Sequence, residues 1–417
     1  MIPPMRAVLC CLAAGLPAVE PLVLAGNGAW DLGWDPLLAA AAEPDLVVGG
    51  TILRPVGAGW WGGATLSGSL ADQGGDRGWI ARRPGHDGAA AAVRLGGALG
   101  ALSVDLRPEW RWADDAAIAG QPDTDVIVAA GSAVLRLPFD LAAVASTEPV
   151  AWGPGMFGNL LLSGGDRGFA HARLATALPW SGLELLGDPV FLHAEGLVGR
   201  LDREDGLLDG PAVAGARVAA RWRWLGAAAS RIGYPDWGDD GGDPGQVRTS
   251  LELVLDPGRI RLGGAVGADP LRSADGPDPL PLILVLDAYD LAGDGTCRLA
   301  FEWHHAMAAG GSDSAYQRPW TATPGDPAAG SGDVLRGLWS HRPEGEDWRY
   351  DLSPSWLLDR PDAGRERERI RLDARVAVLA GPVTVDLGAW GAWWWQRDEL
   401  DEDDWDVGGE ASVAWDF

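Results

Sequence analysis

Asp406-Val407-Gly408-Gly409-Glu410-Ala411-Ser412-Val413-Ala414-Trp415-Asp416-Phe417, the last twelve residues, decides the fold class. Val407, Ala411, Val413, Trp415 and Phe417 fall on one face of a strand, and Asp406, Glu410, Ser412 and Asp416 on the other, the period-two pattern of a sheet with one apolar and one wet side. A strand that runs to a terminal Phe is how bacterial outer-membrane β-barrels close, and Phe417 would present that strand to the barrel-assembly machinery. The alternative is an edge strand of a soluble sandwich, which would ordinarily be followed by a few polar residues.

The pattern recurs upstream. Val383, Val385, Leu387, Ala389, Trp393 and Trp395 share one face. Ile370, Leu372, Ala374, Val376 and Val378 alternate with Arg371, Asp373 and Arg375. Leu102, Val104, Leu106, Trp110 and Trp112 alternate with Ser103, Asp105, Arg107, Glu109 and Arg111, and Val218, Ala220, Trp222 and Trp224 alternate with Arg217, Ala219, Arg221 and Arg223. Sandwiches would need several units to use 417 residues, and no linker of the usual kind separates such units.

The expected fold is therefore all-β: a closed antiparallel transmembrane β-barrel of eighteen strands, sixteen being the alternative, with little helix. The expected strands are 46–54, 62–71, 90–98, 101–112, 126–137, 168–177, 189–200, 212–224, 225–234, 248–256, 258–267, 280–289, 296–307, 333–342, 346–358, 368–379, 383–396 and 406–417. Ala380-Gly381-Pro382 reads as a tight turn. Segments 72–89, 113–125, 235–247, 268–279, 308–332 and 397–405 read as long outward loops, and 138–167 as a special excursion. Helical periodicity is confined to Asp35–Glu43 and a weaker stretch from Phe139 to Ala145.

Composition narrows the classes. Trp occurs 23 times against 6 Phe and 4 Tyr, a bias that suits the two headgroup zones of a membrane protein, with core filling as the blander account. No run of about 20 apolar residues occurs after residue 26, so helical spans are not expected. A net charge of −26 argues against a nucleic-acid partner. Every basic residue is Arg. Residues 1–25 read as an export signal, charged at Arg6 and interrupted by Glu20. Residues 26–45 form a short N-terminal segment, a reduced plug, and 46–417 the outer-membrane barrel. The mature chain keeps only Cys297, so neither an internal disulfide nor a Cys metal cluster is expected.

One stretch inside the excursion, Ala151-Trp152-Gly153-Pro154-Gly155-Met156-Phe157-Gly158-Asn159-Leu160-Leu161-Leu162-Ser163, resembles a motif of the capsule assembly Wzi family, a Trp followed by Gly-Pro-Gly and then a short apolar run ending in Ser. Leu201-Asp202-Arg203, Gly215-Ala216-Arg217, Ala229-Ser230-Arg231, Glu302-Trp303 and Arg336-Gly337-Leu338-Trp339-Ser340-His341 fall in the order of that family's later segments, with Ser340 where the family has Gly. The similarity covers roughly residues 126–417. It implies an eighteen-stranded outer-membrane barrel that holds or organises capsular polysaccharide or exopolysaccharide, in contact with outer-membrane lipid and lipopolysaccharide, without catalysis and without a cofactor. The family's N-terminal helical plug has no clear counterpart here beyond Trp34–Glu43.

Candidate site residues follow from the inward charges. Arg217, Arg221, Arg223, Arg371, Arg375 and Arg107 can pair with acidic sugars through bidentate guanidinium–carboxylate contacts. The competing account is a lumen network in which Asp105, Glu109, Glu252 and Asp373 neutralise them. Asp236, Asp239, Asp240 and Asp243 are weak calcium candidates, as are Asp398 to Asp404, but they lack the spacing of a calcium loop and read first as solvated charge runs. Trp237 and Trp405 beside them would stack on sugar rings or anchor the rim. His304 and His305 point to opposite faces of a strand and cannot share a metal. Ser163 or Ser230 with His171, His193 or His304 is the remaining route to an enzyme, and no Gly-x-Ser-x-Gly elbow supports it. A diffusion porin for small anionic or sugar solutes is the rival function.

Overall fold

A computed structural model describes residues 46–48, 51–53, 59–72, 88–113, 124–147, 150–155, 161–163, 169–176, 180–200, 212–233, 247–257, 260–268, 281–289, 297–306, 332–341, 347–362, 365–381, 383–397 and 402–416. Its strands, in chain order, are β1 Gly59–Asp72, β2 Gly88–Leu99, β3 Leu102–Ala113, β4 Thr124–Leu137, β5 Leu141–Ser146, and β6 in two pieces, Ala170–Thr176 and Trp180–Leu185. They continue with β7 Asp188–Arg200, β8 Ala212–Trp222, β9 Leu225–Gly233, β10 Val247–Leu255, β11 Ile260–Ala268 and β12 Leu282–Tyr289. The last six are β13 Cys297–Ala306, β14 Gly332–His341, β15 Trp348–Asp362, β16 Arg365–Ala380, β17 Val383–Arg397 and β18 Glu402–Asp416.

Each strand pairs antiparallel with the next, and β18 pairs with β1 through Ser412↔Ser67, so the eighteen strands form a closed barrel. The two pieces of β6 take opposite halves of β7: Ala175 sits opposite Glu195, and Trp180 opposite Leu192.

The outward face is greasy because the alternation puts it there. Leu66, Leu95, Leu106, Leu251, Leu253, Leu284, Leu372 and Leu387 are each about half exposed or more, while their strand neighbours turn inward. On β17 the outward row climbs ten residues from Val383 to Trp393, about 33 Å of strand. At the usual tilt of about 40° this is about 25 Å of height, the thickness of an outer-membrane apolar band.

Tryptophans mark both limits. Trp415 lies opposite Val383 at the lower edge, and Trp393, Trp395 and Trp405 cluster at the upper edge with centroids 4.4 and 6.0 Å apart. Trp405 stands exposed on the outward face at this upper edge. No helix among the described residues is long and apolar enough to cross a membrane.

Short connections gather at one end. They include the turns at Gly100–Ala101, Leu186–Gly187 and Gly381, and Gly100 and Gly381 adopt φ of 60° and 65°. Long connections gather at the other end, as in outer-membrane barrels. Pro108 is accommodated by a register shift between Arg107 and Pro108.

Four expectations need correction. Residues 46–54 do not supply a barrel strand: Leu46–Val48 pairs with Thr51–Leu53 as a separate two-stranded sheet, and the barrel begins at Gly59. The eighteenth strand is instead β5, from the excursion 138–167. The helical stretch Phe139–Ala145 is a turn and a strand, with Phe139 and Asp140 at φ 64° and 55°. The expected long acidic loop 397–405 is mostly ladder, because β17 and β18 continue upward through Trp395↔Asp403 and Gln396↔Glu402. Residues 1–45 and 235–246, with the N-terminal plug and the Asp236–Asp243 cluster, lie outside the described residues.

Candidate functional site

The excursion after β5 turns into the lumen. Ala151–Trp152 pairs with Leu162–Ser163 as a two-residue ribbon, and Trp152, Gly153, Pro154 and Gly155 are all buried. Trp152 (1% exposed) joins Val150, Leu161, Phe169, Leu197, Val213 and Ile232 in one apolar cluster. Three of these, Leu197, Val213 and Ile232, come from the inner faces of β7, β8 and β9, so a lumen that should be wet is dry along this sector.

Glycines in the wall receive the segment. A Cβ at Gly215 would stand 2.8 Å from the Trp152 ring, one at Gly263 2.9 Å from Pro154, and one at Gly199 2.8 Å from Phe169. A strand glycine is the expected mark of such close approach. The segment therefore lies along the inner wall from β7 to β11, and Gly153, at φ 149°, makes a bend that other residues rarely adopt.

Around this cluster the polar wall is sealed and paired. Arg173 lies 3.2 Å from Glu195, with both side chains at most 1% exposed. Arg217 lies 2.8 Å from Glu252, and Ser230 Oγ donates to Glu252 at 3.0 Å. Thr176 Oγ1 is 2.7 Å from His193 Nδ1. His304 pairs with Glu302 on the inner face of β13, whereas His305 faces outward and pairs with Asp333 at 2.7 Å. Ser230 is thus engaged by a carboxylate rather than by a histidine.

The opposite wall, β16 to β3, is mixed: Arg369, Arg371 and Glu109 are buried, whereas other inward charges are partly exposed. Arg375 pairs with Asp386 at 3.1 Å, the side chains 18% and 22% exposed. Arg94 pairs with Asp105 at 2.8 Å, at 29% and 17%. Arg107, 42% exposed, lies 3.7 Å from Glu109.

Higher on this wall, Arg371 is clamped. Its Nε and Nη2 donate to Asp373, and its guanidinium lies 4.4 Å over the Trp390 ring. Trp390 itself rests on Gly408, where a Cβ would come within 2.5 Å of the indole.

The six candidate arginines accordingly separate into three groups. Arg217 is sealed in the dry wall. Arg221 reaches Asp256 at 3.5 Å near the short-turn end, and Arg223 occupies the β8–β9 turn itself, at φ 52°, paired with Asp188. Arg371, Arg375 and Arg107 stand on the opposite wall. Sequence reasoning missed Trp390, Gly408, Arg94 and the glycine notches; a glycine inside an alternating strand was the available signal.

No family model matches the chain, and no curated protein matches it. Solved structures do. One is Wzi, described as an outer-membrane protein involved in group 1 capsule assembly in Escherichia coli and a carbohydrate-binding β-barrel. The match has 15% identity and a TM-score of 0.59, and covers 84% of this chain and 83% of that one. OccAB2 of Acinetobacter baumannii matches at 10% identity and TM-score 0.54, over 86% and 98% of the two chains. OpdK of Pseudomonas aeruginosa, solved with vanillate, matches at 12% and 0.53, over 86% and 98%. These are bacterial outer-membrane barrels, and the fold of this chain is theirs. The chain has the fold of a large outer-membrane β-barrel.

Proposed function

We propose that this barrel binds surface polysaccharide and assists its assembly or retention as capsule or exopolysaccharide at the cell surface. The observation that carries the reading is the Trp152–Gly155 segment seated in glycine notches of β8 and β11. It covers one side of the lumen and leaves partly exposed donors and acceptors on the other, an arrangement suited to holding a hydroxyl-rich chain. The likeness in fold to Wzi, a carbohydrate-binding barrel, supports it. The proposed role is non-covalent and includes no catalytic step. Lipid and lipopolysaccharide would surround the apolar band.

The test is a deletion strain in which cell-associated and released polysaccharide are both measured. Loss of the cell-associated fraction with secretion undiminished is expected; unchanged retention defeats the reading. A selective diffusion channel for small anionic or sugar solutes is the second reading, favoured by the partly exposed charged wall at Arg375 and Arg94. Planar bilayers separate the two: a retention protein conducts weakly and a channel strongly.

A further inference from the structure

Two inward ion pairs on the exposed wall are built alike. Arg94 and Asp105 stand on the two strands of the β2–β3 hairpin, and Arg375 and Asp386 on the two strands of the β16–β17 hairpin, each pair eleven residues apart in sequence and joined round a short turn. They also stand at one height. The ladder from Asp386 crosses Ser412, then Ser67, then Ala90 on β2. With strands tilted by about 40° and about 4.8 Å apart, each step climbs slightly more than one residue. Three steps climb about four residues, so the β2 position level with Asp386 is close to Arg94. The nearest members of the two pairs, Asp386 and Arg94, are then about 19 Å apart round the wall, three strand spacings of about 6.3 Å each when measured level across tilted strands.

The chemistry of a paired site differs from that of a bare arginine. A guanidinium only donates and a carboxylate only accepts, whereas a sugar hydroxyl does both. Vicinal hydroxyls at the exposed edge of such a pair accept from the arginine and donate to the aspartate. An acidic sugar would have to bring its carboxylate beside Asp386 or Asp105, and like charges at such range repel. The chain's net charge of −26 adds to that repulsion.

We infer that the Arg375–Asp386 and Arg94–Asp105 pairs form a two-point binding belt for a neutral, hydroxyl-rich glycan, rather than an arginine site for acidic sugars. This rests on the carbohydrate reading and gives it a substrate class.

Calorimetry on the full chain in glycan-free detergent micelles, with a maltooligosaccharide and an oligogalacturonate of equal length, tests it at low and high salt. The neutral oligomer binds more tightly, and salt leaves its affinity unchanged. Asp386→Asn lowers neutral affinity about tenfold, the size of a lost hydrogen bond to a charged group, and raises affinity for the oligogalacturonate by freeing the charge of Arg375. Asp105→Asn does the same through Arg94 and stands in if the first variant fails to give the heat-modifiable folded band. Preference of the unaltered protein for the oligogalacturonate, weakening with salt, overturns the neutral-glycan inference alone, as do variants that alter neither affinity. Binding of neither oligomer defeats the carbohydrate reading together with it.

Discussion

The β6–β10 wall and the β16–β3 wall are made from the same residue types, Arg, Asp, Glu and Ser, yet their ion pairs live in different solvents. Arg217–Glu252 is at most 2% exposed on either side chain, whereas Arg375–Asp386 and Arg94–Asp105 keep about a fifth of theirs in contact with solvent. On the first wall the Trp152 ring packs on Gly215, two residues from Arg217 on the same face of β8, so an apolar cluster lies beside that dry pair. Burial, not residue identity, decides whether an inward arginine is structural or available to a ligand. Deleting one partner of a dry pair strands a charge; deleting one partner of a wet pair hands that charge to water.

The largest expected effect follows directly. Glu252→Ala leaves Arg217 buried without its 2.8 Å carboxylate and removes the acceptor of Ser230, so it should destabilise the barrel by about 3–5 kcal/mol, read by urea unfolding from bilayers. A loss below about 1 kcal/mol would mean that water reaches Arg217 and that the two walls do not differ as described. Gly215→Leu fills the notch that holds the Trp152 ring and should cost about 1–3 kcal/mol through overpacking. It should also raise single-channel conductance as the segment leaves the wall; unchanged conductance would show that the segment does not limit the lumen. The smallest effect belongs to the wet wall. Asp386→Ala should cost less than about 1 kcal/mol, and a cost like that of Glu252→Ala would erase the contrast.

Much of this was legible in the chain because a membrane barrel writes its two faces in alternate residues. Leu372, Leu387 and Val413 face outward where the pattern puts them, and Arg371, Asp373 and Arg375 face inward. The pattern fails where neither face meets lipid. Asp403 and Glu402 continue the β17–β18 ladder above the apolar band, where nothing demands apolar outward residues, so a strand looked like a loop. Strand β5, Leu-Ala-Ala-Val-Ala-Ser, has small residues on both faces and no charge to mark a wet side, and it follows a turn in which Phe139, an unusual residue at positive φ, precedes Asp140. The Arg and Asp pairs could be guessed as a network, but which ones water reaches depends on where residues 150–155 fold, a contact between distant parts of the chain. The glycine notches are legible only once their occupants are known.

A cylinder of sheet is mechanically uneven when its staves differ in length. Strand β5 has six residues where β16 has sixteen, and it meets β6 through a register of only six positions, from His171↔Ser146 to Thr176↔Leu141. Its other seam, with β4, has six as well, so among the described residues the two edges of β5 have the fewest cross-strand bonds to break, and a sideways parting of the wall under tension begins beside this strand.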